Sequence, residues 1–145
     1  MAKHANLIIQ QFMADIQWKY LILSIVLAYC ILLLVGSLIA SYNVHSFVNA
    51  FNTGQIMVSN YNNFQDAANR YVNSYYWVPF HIAAIIIAQL SSCLFLVKHT
   101  KGLELTNGVA HAVFTSIFVY QLNFVSALIG SISSIVVAFK VKEKS

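Results

Sequence analysis

Residues 20–42, YLILSIVLAYCILLLVGSLIASY, contain no charged side chain. As a helix this run rises about 34 Å at ~1.5 Å per residue, enough to cross a hydrocarbon layer of ~30 Å with some tilt. A second run, residues 77–97, is also uncharged and stops at Lys98. Such segments have few ways to fold. Inside lipid only a helix or a closed barrel satisfies every backbone N–H and C=O, and some twenty apolar residues in succession are the signature of the helix. The rest of the chain agrees, with 59% hydrophobic and 8% charged residues and a mean hydropathy of +0.71. A soluble domain carries about 25% charged residues, so this chain lacks the polar surface to face water all round. The expected class is an all-α, multi-pass integral membrane protein forming a single domain over residues 1–145. The first run exceeds a secretory apolar region and no small-residue cleavage site follows it, so a retained span is expected.

Residues 103–139 admit either one long helix or two short spans, and charge decides between them. With two spans, Lys3, Lys19, Lys98, Lys101, Lys140, Lys142 and Lys144 share one membrane face and Arg70 lies alone on the other. With one span, the eight lysines and arginines divide four against four. Short loops rich in Lys and Arg stay on the cytoplasmic or matrix face, so the uneven division is expected. A turn near Gln121, Leu122 and Asn123 then separates a third span, 104–121, from a fourth, 124–140, with both termini inside. The rule holds equally for a bacterial or archaeal plasma membrane and for the mitochondrial inner membrane.

Two extramembrane segments flank the first span. Residues 1–19 are expected to form an interfacial segment with a helix over 5–18. There Ile8, Phe12 and Ile16 recur every four residues with Ile9 and Met13 beside them, while Gln10, Gln11, Asp15 and Gln17 are polar. Trp18, Lys19 and Tyr20 mark the membrane entry. The outer segment, 43–75, is rich in Asn. Met57, Tyr61, Phe64, Ala68, Tyr71, Val72 and Tyr75 recur at steps of three and four, which predicts an amphipathic helix over 56–74. A shorter helical piece is expected over Val44–Phe51, and an aromatic belt at Tyr75, Tyr76 and Trp77. Pro79 fits the first turn of the second span, where a missing N–H costs nothing.

Small residues line two helix faces. Ala84, Ala88 and Ser92 form one ridge, and Ser126, Gly130, Ser134 and Ala138 form another, so both faces permit close helix packing. Cys30 and Cys93 fall within apolar runs and read as small packing residues. The aromatics Tyr29, Phe114, Phe118, Tyr120 and Phe124 read as packing or lipid-facing groups. Glu104 is expected at the wet inner interface beside Lys101.

The polar groups inside the spans are few. Counted from the inner boundary, Gln89 lies about 13 Å deep and His111 about 10 Å deep, with Thr115 one turn beyond His111. Cys30 and Ser131 fall at comparable depth, so one layer is expected to hold a polar cluster centred on Gln89 and His111. It reads first as an interhelical hydrogen bond and second as a proton, ion or ligand site. The histidines raise the question of haem. His45 and His81 lie toward the outer boundary, and His99 and His111 toward the inner one. His45 and His99 fall at or beyond helix ends, however, and His81 and His111 differ by about 12 Å in depth, too far to share an iron.

No cofactor is therefore expected, with haem b on His81 or His111 as the alternative. No metal site is expected, because the histidines lack a close companion ligand. No Ser-His-Asp set, carboxylate pair, P-loop or dinucleotide fingerprint occurs, and no basic patch with interleaved aromatics points to nucleic acid. The expected role is a non-catalytic subunit of a larger membrane complex, with the bilayer and other membrane subunits as partners. An oligomeric channel or small carrier built around Gln89 and His111 is the alternative, and a haem or metal redox subunit the second.

Overall fold

The computed structural model describes residues 2–57, 63–72, 78–121 and 123–143. Among these residues there are six helices and no strand. They are α1 (Ala2–Asp15), α2 (Trp18–Asn52), α3 (Phe64–Val72), α4 (Val78–His99), α5 (Glu104–Phe118) and α6 (Phe124–Lys142). Three of them, α2, α4 and α6, are long and apolar enough to cross a membrane. With 15 residues, α5 rises only about 22 Å.

The chain divides into two compact units, one comprising Met1–Leu32 and Ile85–Ser145, the other Leu33–Ala84. In the first unit, Ile16, Leu21, Leu96 and Ala110 form a core with Phe12, Tyr20, Ile25 and Phe114 against it. Further along, Ala28 packs with Val119 and Tyr120, and Cys93 with Val97 and Ala138. The α5–α6 pair is an antiparallel hairpin. Its turn begins where the Thr115 carbonyl accepts both Val119 N–H (2.9 Å) and Tyr120 N–H (3.0 Å), ending α5 before residue 121. Gln121 then takes φ +48°, and Asn123 caps α6 by accepting Ser126 N–H at 3.1 Å. The two helices approach so closely that a Cβ on Gly108 would overlap the Ala138 side chain.

One end of this unit collects four helix ends. Tyr20 at the start of α2 stacks on His99 at the end of α4, with centroids 5.2 Å apart. Asn107 in the first turn of α5 accepts Gln17 N–H at 2.9 Å, directly before α2. Leu105 of α5 and Val141 of α6 both pack on the cluster that contains Val97 of α4. Lys19, Lys98, Lys101, Lys140 and Lys142 are exposed at these ends. Glu104 is not at a wet interface: it is 3% exposed, and its Oε1 accepts Gly102 N–H at 2.8 Å. The buried carboxyl thereby ties the turn at Gly102 to the first turn of α5.

α1 stops at Asp15, and residues 16 and 17 break the chain before Trp18 opens α2. The break is held by Asn107, which takes Gln17 N–H while its Nδ2 donates to the carbonyls of Asp15 (3.4 Å) and Leu103 (3.0 Å). Trp18 therefore belongs to α2 and not to α1, and its ring meets Phe114 edge-on at 5.6 Å.

The second unit differs from expectation in two respects. Residues 44–51 do not form a separate piece, because α2 runs unbroken to Asn52, with no Pro and no Gly between Tyr42 and Asn52 to interrupt it. It ends at Gly54, where Gln55 and Ile56 fold back on the Ala50 carbonyl at 2.9 and 3.2 Å. Of the helix expected over 56–74, the described residues show α3 alone, with Ile56 and Met57 outside any helix, and Asn63 caps α3 by accepting Asp66 N–H at 2.8 Å. Its closed-off residue is Ala67 rather than Ala68. Phe47 meets Phe64 edge-on and Tyr71 at a tilt, with centroids at 5.2 and 5.6 Å, and Ser46 shares a 2.7 Å hydrogen bond with the Tyr71 hydroxyl, so the helix is rotated to suit these contacts. Tyr61, the belt at residues 75–77 and Leu122 lie outside the described residues.

Candidate functional site

Gln89 lies on α4 with its side chain fully buried, and its carboxamide is the hub of a network within the first unit. Its Nε2 donates to Thr115 Oγ1 at 2.7 Å and to Ser134 Oγ at 2.8 Å. Its Oε1 accepts the Tyr120 hydroxyl at 2.9 Å. A carboxamide has two N–H donors and one C=O, so these bonds use both hydrogens and engage the oxygen. The third neighbour of Nε2, His111 Nδ1 at 3.3 Å, is then served through Ser134, whose Oγ lies 3.0 Å from the same ring nitrogen. Ser134 accepts from Gln89 and shares a hydrogen bond with His111 Nδ1. Thr115 turns its own hydrogen back to the His111 carbonyl at 2.7 Å, leaving lone pairs for Gln89. Four polar side chains from α5 and α6, or the turn between them, thus converge on one side chain of α4.

His111 Nε2 is the exception. It is buried and has no hydrogen-bond partner. The Ser24 main-chain carbonyl of α2 is close enough to interact with the ring but makes no bond of standard geometry to it. Ser24, also fully buried, donates its hydroxyl to the Leu21 carbonyl at 2.7 Å.

Glycine and small residues build this layer. A Cβ on Gly130 would stand 2.6 Å from Tyr120 Cε2, so its absence lets the Tyr120 ring reach inward toward Gln89. Ala88, Ser92, Gly130, Ser134 and Ala138 are buried in the first unit, Ala84 is buried in the second, and Ser126 is half-buried. The small-residue faces are thus engaged within the chain itself.

The structure brings Gln89, His111 and Thr115 together and adds Ser134 and Tyr120. The small-residue spacing of α6 reads Ser134 as packing, and Tyr120 reads as a packing or lipid-facing aromatic, because neither spacing nor residue type gives the direction in which a hydroxyl points. Cys30 and Ser131 are not in the layer: Cys30 is exposed, and Ser131 pairs with Ser116 at 3.2 Å. Cys93 is buried with its thiol donating to the Ser134 carbonyl at 3.4 Å. Asn107 went unnoticed although it is an amide in an apolar helix, the same signal that drew attention to Gln89.

His45 and His81 are exposed on residues of the second unit, and His99 is exposed in the first with Nδ1–H donating to the Phe95 carbonyl at 2.7 Å. Among the described residues no group of three or more His, Cys, Asp or Glu side chains is arranged to hold a metal ion. The chain matches no family model, no curated protein and no solved structure.

Proposed function

We propose that this chain is a four-span, non-catalytic subunit of a larger membrane assembly, with both termini on the lysine-bearing side. The observation that carries the reading is the closure of the Gln89 layer: its amide, hydroxyl and Nδ1 groups bond to one another. A catalyst or a conduit presents polar groups to something that passes through, whereas a closed set ties helices together. In this reading α5 makes its crossing as a short helix completed by the turn at 119–121. Within the first unit the face left for partners is that of α2, where Ile22, Leu23, Val26 and Tyr29 are exposed, since the ridge residues Ala88, Ser92, Gly130, Ser134 and Ala138 are already covered. Mild-detergent purification of the tagged chain is expected to bring down another membrane protein in fixed ratio. A chain that emerges alone as a stable monomer overturns the proposal.

One observation favours the channel or small-carrier reading, namely the unpartnered Nε2 of His111. Intramembrane ionisable groups often lie on pathways. That reading requires flux in liposomes that His111→Ala abolishes without unfolding the protein, and unchanged flux removes it.

A further inference from the structure

The contacts that gather the ends of α2, α4, α5 and α6 also gather charge. Lys19, Lys98, Lys101 and Lys140 are exposed at that end of the first unit. The carboxyls there are Asp15, half-buried, Glu104, buried on the Gly102 amide, and Glu143. With Lys142, also exposed, five lysines stand against these three acids, so the surface carries a net excess of two positive charges. Alongside it runs α1, whose Phe12 packs into the core while Ile8, Ile9 and Met13 stay 69%, 59% and 43% exposed. Asn107 clasps the end of α1 to α5, so the apolar edge and the lysines belong to one compact unit. Trp18, 40% exposed, opens α2 directly before Lys19.

We infer that this end is a docking surface for anionic phospholipid: the lysines engage headgroup phosphates while the Ile8, Ile9 and Met13 edge enters the acyl boundary. An interfacial helix held by both apolar burial and lysines has the two attachments that lipid-surface anchoring requires. The inference rests on the membrane reading above and adds the lipid chemistry. An acidic protein would satisfy the lysines but not the adjoining apolar edge.

The test uses the full-length chain with Trp77→Phe, leaving Trp18 as the sole tryptophan. It is reconstituted into phosphatidylcholine vesicles containing a minority of phosphatidylglycerol, with one or the other lipid brominated near the headgroup. Quenching of Trp18 by brominated phosphatidylglycerol is expected to exceed that lipid's share roughly threefold or more. The excess is expected to vanish in about 1 M salt, where the screening length is ~3 Å. It is also expected to vanish in a Lys19→Gln, Lys98→Gln, Lys101→Gln variant that brominated phosphatidylcholine still quenches normally, which shows the variant inserted. Quenching in proportion to lipid share at low salt overturns the proposal and leaves the membrane reading standing. Quenching by neither brominated lipid overturns both.

Discussion

At the scale of single residues, Gln89 is the side chain on which most depends. It makes three hydrogen bonds across helices, to Thr115, Ser134 and Tyr120. Interhelical hydrogen bonds in membranes average about 0.6 kcal/mol each, because the unfolded chain in lipid finds partners too. Gln89→Leu is therefore expected to lower stability by about 2 kcal/mol, and Tyr120→Phe, which removes a single bond, by about 0.6 kcal/mol. Unfolding in mixed micelles of increasing denaturing detergent measures both. A Gln89→Leu loss no larger than that of Tyr120→Phe would mean that the layer does not bind the helices together. Gln89 and His111 stand out in the sequence because polar groups are rare in apolar runs. Tyr120 and Ser134 do not, since their hydroxyls have equally good uses at an interface or against their own helix.

At the scale of elements, the α5–α6 hairpin depends on Gly108 as well as on its turn. A methyl at that position already overlaps Ala138, so Gly108→Leu must push the helices apart or unfold the pair. A loss of roughly 1–3 kcal/mol is expected, while Ala138→Gly in the same background restores part of it. Detergent unfolding of the single and double variants checks this, and additive losses would mean that the two residues do not meet. The hairpin turn was legible because Gln121 and Asn123 interrupt an apolar run, and the start of α6 because Asn is a strong cap. The unbroken course of α2 was not legible. Asn43, Ser46 and Asn49 look like loop composition, yet no breaker stands among them, and the aromatic contacts of Phe47 and Phe51 with α3 hold that stretch in place. The break at residues 16–17 was placed a few residues late for a related reason. It is fixed by Asn107, some ninety positions away, and local pattern carries no trace of it.

At the scale of the whole molecule, the proposed threading puts both termini on one side of the membrane. Reactive tags placed singly at each terminus, in sealed vesicles of one orientation, are expected to be reached from the same side. Reaction from opposite sides would rule out an even number of crossings. The contacts of Tyr20 with His99, Gln17 with Asn107, and Val141 with the Val97 cluster gather the start of α2, the end of α4, the start of α5 and the end of α6 at one end of the first unit.

The length of α2 has a mechanical consequence. Lys19 marks one end, and no further charge occurs before Asp66. The helix rises about 52 Å against a hydrocarbon core of ~30 Å, so a bilayer that begins at Lys19 leaves the far end of α2 beyond the hydrocarbon. That end carries α3 through Phe47, Phe51 and Ser46, and α3 carries Asp66 and Arg70. A thicker membrane would have to bring those charges toward the lipid, so α3 acts as a stop that limits how far α2 can be drawn in.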